Sequence, residues 1–268
     1  MSGGPVDVLI PTYRRPAPLA ATLATVASQA APDLHVVVSD QTEEPESGVG
    51  GAAQATLRLL EARGHDVEVH RHLPRRGLAE QRDFLLSRAR GPYALFLDDD
   101  VLIEPDLVDR LVTAIRHHRC GFVGSAVIGL TYVDDVRPHE QDIELWEGSV
   151  VPEVVEPGGP AWERHRVHNA ANLWHVQQRL AITRERQRVY KVAWVGGCVL
   201  YDVEKLRRCG GYSFWTELPR DHAGEDVLAQ LRVMARFGGC GLIPSGAFHQ
   251  EVPTTVPQRE ADAPLLLR

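Results

Sequence analysis

The sequence predicts one α/β domain, a mostly parallel central sheet flanked by helices, with an irregular insertion in its second half. Three observations predict it. Short apolar runs alternate with stretches of helical spacing up to about residue 130, which implies a sheet covered on both faces. The rhythm lapses between about residues 131 and 191, where Pro138, Pro152, Pro157, Pro160 and the Gly158-Gly159 pair interrupt it. It resumes from residue 192. In such sheets ligands bind beyond the carboxyl ends of the strands, so the residues that follow each apolar run are the first candidates for function.

Residues 6–10 form an apolar run that ends at Pro11-Thr12, and Leu19, Leu23, Val26 and Ala27 then share one helical face. Residues 34–38 read as a buried strand ending in Ser39-Asp40-Gln41-Thr42. A helix over about 52–63 stops at Gly64, a residue suited to a C-cap. A short strand at 67–70 and a helix at 77–90, closed by Gly91-Pro92, come next. The clearest strand, 93–97, runs straight into Asp98-Asp99-Asp100. Leu107, Val108, Leu111, Val112 and Ile115 mark a helix starting near Pro105, since proline suits a first turn. Residues 121–130 and 192–201 predict strands, 169–188 and 224–237 helices, 241–243 a short strand, and 251–268 a tail.

Composition excludes several function classes. The 268 residues carry 29 Lys+Arg against 36 Asp+Glu, a net charge of −7, which argues against a nucleic-acid binder because phosphate neutralisation needs a basic face. A local basic pocket for a small phosphorylated ligand is compatible with that balance. Residues 1–5 lack a basic region followed by an apolar run, and the glycines around 120–133 break the longest apolar stretch, so neither a signal peptide nor a membrane span is expected. Cys120, Cys198, Cys209 and Cys240 are scattered, as buried free thiols of a cytoplasmic protein would be.

Asp98-Asp99-Asp100 is the sharpest feature. Three adjacent carboxylates repel one another unless a cation sits there. In an extended stretch Asp98 and Asp100 would point to the same side and could hold Mg²⁺ or Mn²⁺, which share their shell with substrate phosphates. The alternative is an acidic cluster capping the helix near Pro105.

At this point the sequence resembles the family 2 glycosyltransferases, nucleotide-sugar enzymes of the GT-A fold. The resemblance rests on Val8-Leu9-Ile10-Pro11-Thr12-Tyr13-Arg14-Arg15, Ser39-Asp40, Arg76-Gly77-Leu78-Ala79-Glu80-Gln81-Arg82-Asp83, Phe96-Leu97-Asp98-Asp99-Asp100, Gly196-Gly197 and Gly224-Glu225-Asp226, in that order. It implies that Pro11, Thr12, Tyr13 and Arg14 border the nucleotide and that Asp40 holds the nucleoside base. Around Asp40 the sequence departs from the family's Asp-Asp-Gly-Ser pattern. Gly77 and Arg82 lie near the diphosphate. Asp98 and Asp100 are the outer members of an Asp-x-Asp metal motif, with Asp99 facing donor ribose or sugar. It also implies that Asp226, with Glu225 beside it, is the base for the acceptor hydroxyl, and that His249 is a third metal ligand.

The chemistry of the residues agrees, because a cation clamped by carboxylates neutralises a departing diphosphate and one carboxylate near the nucleophile takes its proton. Acids opening a helix also complement its dipole, which is the plainer reading of Glu225 and Asp226. Arg14, Arg75, Arg76 and Arg82 could add positive charge or stand in solvent. All five tryptophans lie between residues 146 and 215. Trp146, Trp162 and Trp215 sit in loop-like context and are candidates for an acceptor surface, with His222 nearby, whereas Trp174 and Trp194 read as core.

The resulting expectation is a metal-dependent enzyme with a nucleotide-sugar half (1–130), an acceptor and catalytic half (131–250) and a tail (251–268). It would use a nucleoside-diphosphate sugar and a small soluble acceptor, with inversion favoured and homo-oligomerisation left open. Two rivals stand beside it. A haloacid-dehalogenase-like phosphatase would use Asp98 and Asp100, and a non-catalytic nucleotide-sugar-binding module would not need Asp226.

Overall fold

In the computed structural model, which describes residues 6–31, 33–255, 257, 259 and 261–267, side-chain alternation along each strand builds two cores. On β1 (Val6–Thr12), Val8 and Ile10 pack to one side and Leu9 to the other; on β2 (Leu34–Asp40), Val36 and Val38 oppose Val37. On β4 (Tyr93–Leu97), Leu95 and Leu97 oppose Phe96. Strands buried on both faces need helices on both faces. Those are α1 (Pro16–Ala27), α2 (Gly51–Ala62) and α4 (Leu107–His118) on one side, with α3 (Leu78–Arg88) and α7 (Glu225–Phe237) on the other. Residues 1–5, read above as lacking a leader, lie outside the described residues.

The sheet has eight strands, joined by β3 (Asp66–Arg71), β6 (Phe122–Gly124), β7 (Arg188–Tyr190), β8 (Cys198–Asp202) and β10 (Gly239–Ile243), in the order β3-β2-β1-β4-β8-β6-β10-β7. The α/β class is as the alternation implies, and the pairing is mixed. Strands β3, β2, β1 and β4 run parallel, as do β6 and β10, while β8 and β7 run against their neighbours. The irregular segment is the cause. It leaves β6 and returns to β8 at the same end of the sheet, where Ser125 N donates to the Cys198 carbonyl at 2.9 Å, so β8 can only enter in the opposite direction.

Three sequence expectations change here. The strand expected over 121–130 is only Phe122–Gly124, and the helix expected over 169–188 is α5 (Asn172–Arg179), preceded by 3-10 turns at Pro160–His168. The C-terminal segment, expected as a tail, carries structure. β12 (Ala261–Asp262) pairs with β9 (His222–Ala223), and α8 (Ala263–Leu266) packs on α7. A small ribbon of β5 (Val101–Ile103) and β11 (Ala247–His249) brings His249 beside the acidic cluster. No helix among the described residues is long and apolar enough to cross a membrane. Cys120, Cys198 and Cys240 are buried free thiols, and Cys209 is half-buried.

Candidate active site

The carboxyl ends of β1 and β4, the start of α3, the start of α7 and the chain after β11 enclose one cavity of about 420 Å³. Its walls include Pro11, Thr12, Tyr13, Gly77, Arg82, Asp98, Asp99, Asp100, His222, Glu225, Asp226 and His249, twelve of the residues singled out from sequence. Residues far apart in the chain meet here because each follows the end of a strand or opens a helix at the same edge of the sheet.

The acidic cluster is a turn rather than an extended stretch. Asp98 N donates to the Gly197 carbonyl (2.9 Å), and Val101 N turns back to the Asp98 carbonyl (3.3 Å). Asp98 accepts from Arg82 Nη2 at 2.8 Å. Asp99 is buried, accepts from Thr12 Oγ1 (2.6 Å) and Arg15 Nη1 (3.2 Å), and so ties the end of β4 to the end of β1. Burial is the main reason its carboxyl is pushed up to about 7, against the Thr12 hydroxyl and Arg15. Asp100 accepts from Arg15 Nη1 at 2.5 Å.

Arg82 is the electrostatic centre. It is 3% exposed and bridges Asp98 and Glu225, the latter through Nε at 3.1 Å. Burial opposes its charge, but the two acids outweigh it and hold the guanidinium protonated. Glu225 is raised by burial, which Arg82 only partly offsets. Asp226 lies alongside without a guanidinium of its own. Burial and then the charge of Glu225 push it up to about 7.

Gly77, the residue before α3, has φ +104°, and a Cβ there would lie 2.3 Å from the Arg220 carbonyl oxygen. Only glycine fits this close approach. Gly77→Ala is expected to cost roughly 2–4 kcal/mol through backbone strain and overlap together, read as a lower urea midpoint with unchanged slope. His222 donates from Nδ1 to the Pro219 carbonyl (2.7 Å) and accepts from Ala79 N (3.1 Å) at Nε2, so both ring nitrogens serve to clamp α3 to the chain before α7. Burial lowers its pKa, which keeps the ring neutral.

Several predicted residues stand elsewhere. Arg14 has φ +56°, turns away from the cavity and pairs with Glu44, so that Arg15 enters instead. Asp40 accepts from Thr42 N (2.8 Å) and Val49 N (2.9 Å), which commits both oxygens to its own loop. Trp146 lies in a separate cleft with His117, His118 and Arg188. Trp162 packs on Trp194 at 4.3 Å, and Trp215 lies under Arg76, so neither lines the cavity. Trp194, read as core, is half-buried and lines a cleft next to Asp98.

Sequence reasoning missed Arg15, Gln81 and Arg220. Gln81 donates to the Thr12 and Ser39 carbonyls (3.1 and 2.6 Å), binding α3 to the ends of β1 and β2. Arg220 and Arg75 share Asp221, at 3.0 and 2.8 Å, and Arg75 lies 4.6 Å from the Tyr13 ring centre. Among the described residues, Arg15, Arg75, Arg82, Arg220 and Arg259 put five guanidinium groups on the cavity wall.

The donor set suits a hard cation in part. Asp98 Oδ2 and Asp100 Oδ1 have no hydrogen-bond partner among the described residues, which leaves one oxygen of each outer carboxylate for an ion whose shell substrate phosphates complete. His249 fits less well. Its Nδ1 accepts from Glu251 N (2.7 Å), so the neutral ring carries its proton on Nε2, which faces Asp100 Oδ2 at 3.6 Å. Among the described residues no group of three or more His, Cys, Asp or Glu side chains is arranged to hold a metal by itself.

The family model described as "Glycosyl transferase family 2" matches residues 7–194. A curated relative, the succinoglycan biosynthesis protein ExoM of Rhizobium meliloti (strain 1021), is 31% identical over 114 residues, which are 41% of this chain and 35% of that protein. Among solved structures, residues 1–349 of S. aureus TarS align with TM-score 0.57 at 14% identity, over 91% of this chain and 60% of that one. The mannosyltransferase PcManGT from Pyrobaculum calidifontis, solved with GDP-Man and Mn²⁺, aligns with TM-score 0.57 at 16% identity, over 95% and 59%. The chain thus spans about a third of the curated relative and about three fifths of these two structures.

Proposed function

The chain belongs to glycosyl transferase family 2, and on that footing we propose that it moves a sugar from a nucleoside-diphosphate sugar to a hydroxyl of a small soluble acceptor, with inversion and with Asp226 as the base. The observation that carries this reading is the meeting of two opposite demands in one cavity. Five guanidinium groups suit a diphosphate, and a carboxyl raised to about 7 stands among them ready to take a proton.

Arg15, Arg75 and Arg220 receive the phosphates, and Tyr13, flanked by Arg75, borders the nucleoside. Asp98 and Asp100 would hold a divalent cation, Mg²⁺ or Mn²⁺, through the carboxylate oxygen of each that has no hydrogen-bond partner among the described residues. When bound, the cation supplies charge neutralisation for the departing diphosphate. Arg82 pairs with Asp98 and offsets part of the burial cost of Glu225, and the charge on Glu225 adds to burial in raising Asp226 to about 7, where a base is most effective. Most donor contacts come from the first 130 residues, joined by Arg220, and residues 131–250 otherwise serve the acceptor and the proton transfer. The family membership sets aside the phosphatase alternative.

Thermal-shift measurements with UDP, GDP, ADP, CDP and dTDP, each with and without Mn²⁺, test the donor half of the proposal. At least one is expected to raise Tm, and to do so more with Mn²⁺. If none does, the proposal fails.

Two pH trends should run in opposite directions. Transfer is expected to rise with pH through about 7, because Asp226 works as a base only when unprotonated. Stability is expected to fall over the same range. Asp99 and Asp226 have folded pKa values near 7 against about 3.9 unfolded, so their contribution is full below the unfolded value and is lost as pH rises through the folded one. Rate profiles and denaturant midpoints between about pH 4 and 8 read both, a span that brackets the folded and unfolded values of the two carboxyls.

A further inference from the structure

A second cleft, of about 320 Å³, adjoins the charged cavity and shares Asp98 and His249 with it. We infer that this cleft is the acceptor subsite and that it takes an uncharged pyranosyl ring, with His165 and Trp194 as its aromatic wall. The inference rests on the glycosyltransferase reading above and adds the place and chemical class of the acceptor.

The wall is already built. The His165 ring lies parallel to Trp194, 4.8 Å away and inclined by 13°, and Trp162 braces Trp194 from outside the cleft. His165 Nδ1 donates to the Trp162 carbonyl at 2.8 Å, which leaves Nε2 as the ring's second polar atom for a ligand. An aromatic wall presenting a polar atom matches a sugar, which has apolar C–H faces and hydroxyl edges. Val101, Ala126 and Val127 supply the apolar remainder. Gly196 opens the floor, since a Cβ there would meet nothing within 4 Å.

Charge divides the two spaces. The charged cavity has five arginines, whereas among the described residues the cleft has no lysine or arginine. His168, hydrogen-bonded to the Tyr190 hydroxyl at 2.9 Å, is held neutral by burial, its pKa lowered to about 4. Asp98 stands on the shared rim. With Asp98 already paired to Arg82 and no lysine or arginine among the described residues of the cleft, an anionic acceptor would find no cationic side chain there to replace its hydration, and a diphosphate has no reason to enter. A neutral ring in the cleft can send a hydroxyl past Asp98 towards Asp226, which is near enough for the charge of Asp98 to raise its pKa.

The test is ligand-observed NMR on the full chain with methyl glucopyranoside, galactopyranoside, mannopyranoside and N-acetylglucosaminide, both anomers of each, and methyl glucuronide as the anionic control. At least one neutral glycoside is expected to bind and the glucuronide to bind at least tenfold more weakly. Trp194→Ala should weaken the neutral glycoside at least tenfold and leave nucleoside-diphosphate affinity within twofold. Gly196→Leu, which fills the cleft without touching the ring cluster, should do the same, so the outcome does not depend on the fold surviving loss of Trp194. The inference is overturned if no neutral glycoside binds, if the glucuronide binds as well, or if neither variant weakens binding. It is also overturned if the variants weaken a nucleotide sugar but not its nucleoside diphosphate, since the cleft would then hold the donor's sugar. Failure of every nucleoside diphosphate to bind would sink the donor reading separately, because glycoside binding is measured without nucleotide.

Discussion

Asp226→Asn is expected to lower sugar transfer by about 10²–10⁴-fold, the usual range for a lost general base, while nucleoside-diphosphate binding with Mn²⁺ stays within twofold. The substitution keeps the shape of the side chain and its acceptor oxygen for Val227 N, so the start of α7 should hold. Its effect on stability gives an independent check. Asp226 is costly when ionised beside Glu225, and asparagine cannot ionise. The variant should match the parent below about pH 4, pull ahead of its denaturant midpoint as pH rises from about 4 to about 7, and keep that lead above about 7, following the linkage of a raised carboxyl. A variant that keeps full transfer excludes Asp226 as the base. One that loses nucleotide affinity and transfer in equal measure shows instead that Asp226 belongs to the donor site.

Arg82→Met is the second large effect, and it acts first on the fold. The side chain is buried between Asp98 and Glu225. Removing the cation leaves Glu225 buried and uncompensated, a loss of about 3–5 kcal/mol for one partner of a buried pair. For a chain of this size, that corresponds to a Tm lower by roughly 10 °C. The deficit should shrink as pH falls, because a Glu225 without its guanidinium is relieved by taking up a proton. Arg82→Met with Glu225→Gln should recover much of the stability without recovering transfer, since Asp98 still lacks its partner and Asp226 its neighbouring charge. A deficit that does not change with pH would mean that the lost packing of the arginine, rather than its charge, carries the effect.

The parts of this protein that were legible in its sequence are those determined by local chemistry. Val8, Leu9 and Ile10 announce a strand buried on both faces, and Pro11-Thr12 marks where it leaves the core. Asp98 to Asp100 could be placed at a strand end because carboxylates are rarely buried without a cation. The glycine before Glu225-Asp226 and the apolar spacing after them located α7.

What escaped was geometry decided by single dihedrals and by distant packing. Arg14 and Arg15 are the same residue type, and the left-handed turn at Arg14 chooses which of them enters the cavity. Nothing in the local sequence around Asp40 foretells that Thr42 N and Val49 N will occupy both its oxygens. Gln81 acts through backbone carbonyls across the sheet edge and Arg220 through the carboxylate of Asp221, contacts that leave no periodic trace. Tryptophans in an irregular segment can be wall or prop, and only the ring cluster of Trp162, Trp194 and His165 separates the two roles.

The closing contacts of the cavity come from opposite ends of the chain. Arg15 donates to the carbonyl of Pro253, 238 positions away, and Gln250 Nε2 reaches back to the Pro18 carbonyl at 3.0 Å. During synthesis the early parallel strands can pair long before these late residues leave the ribosome. The early strands alone would therefore carry Arg15, Arg75 and Arg82 but not Arg220, Arg259, Asp226 or the C-terminal crossing. Without the later residues Asp98 N would lack the Gly197 carbonyl and Arg82 would lack Glu225, so the diphosphate side of the cavity and its proton acceptor are completed together rather than half by half.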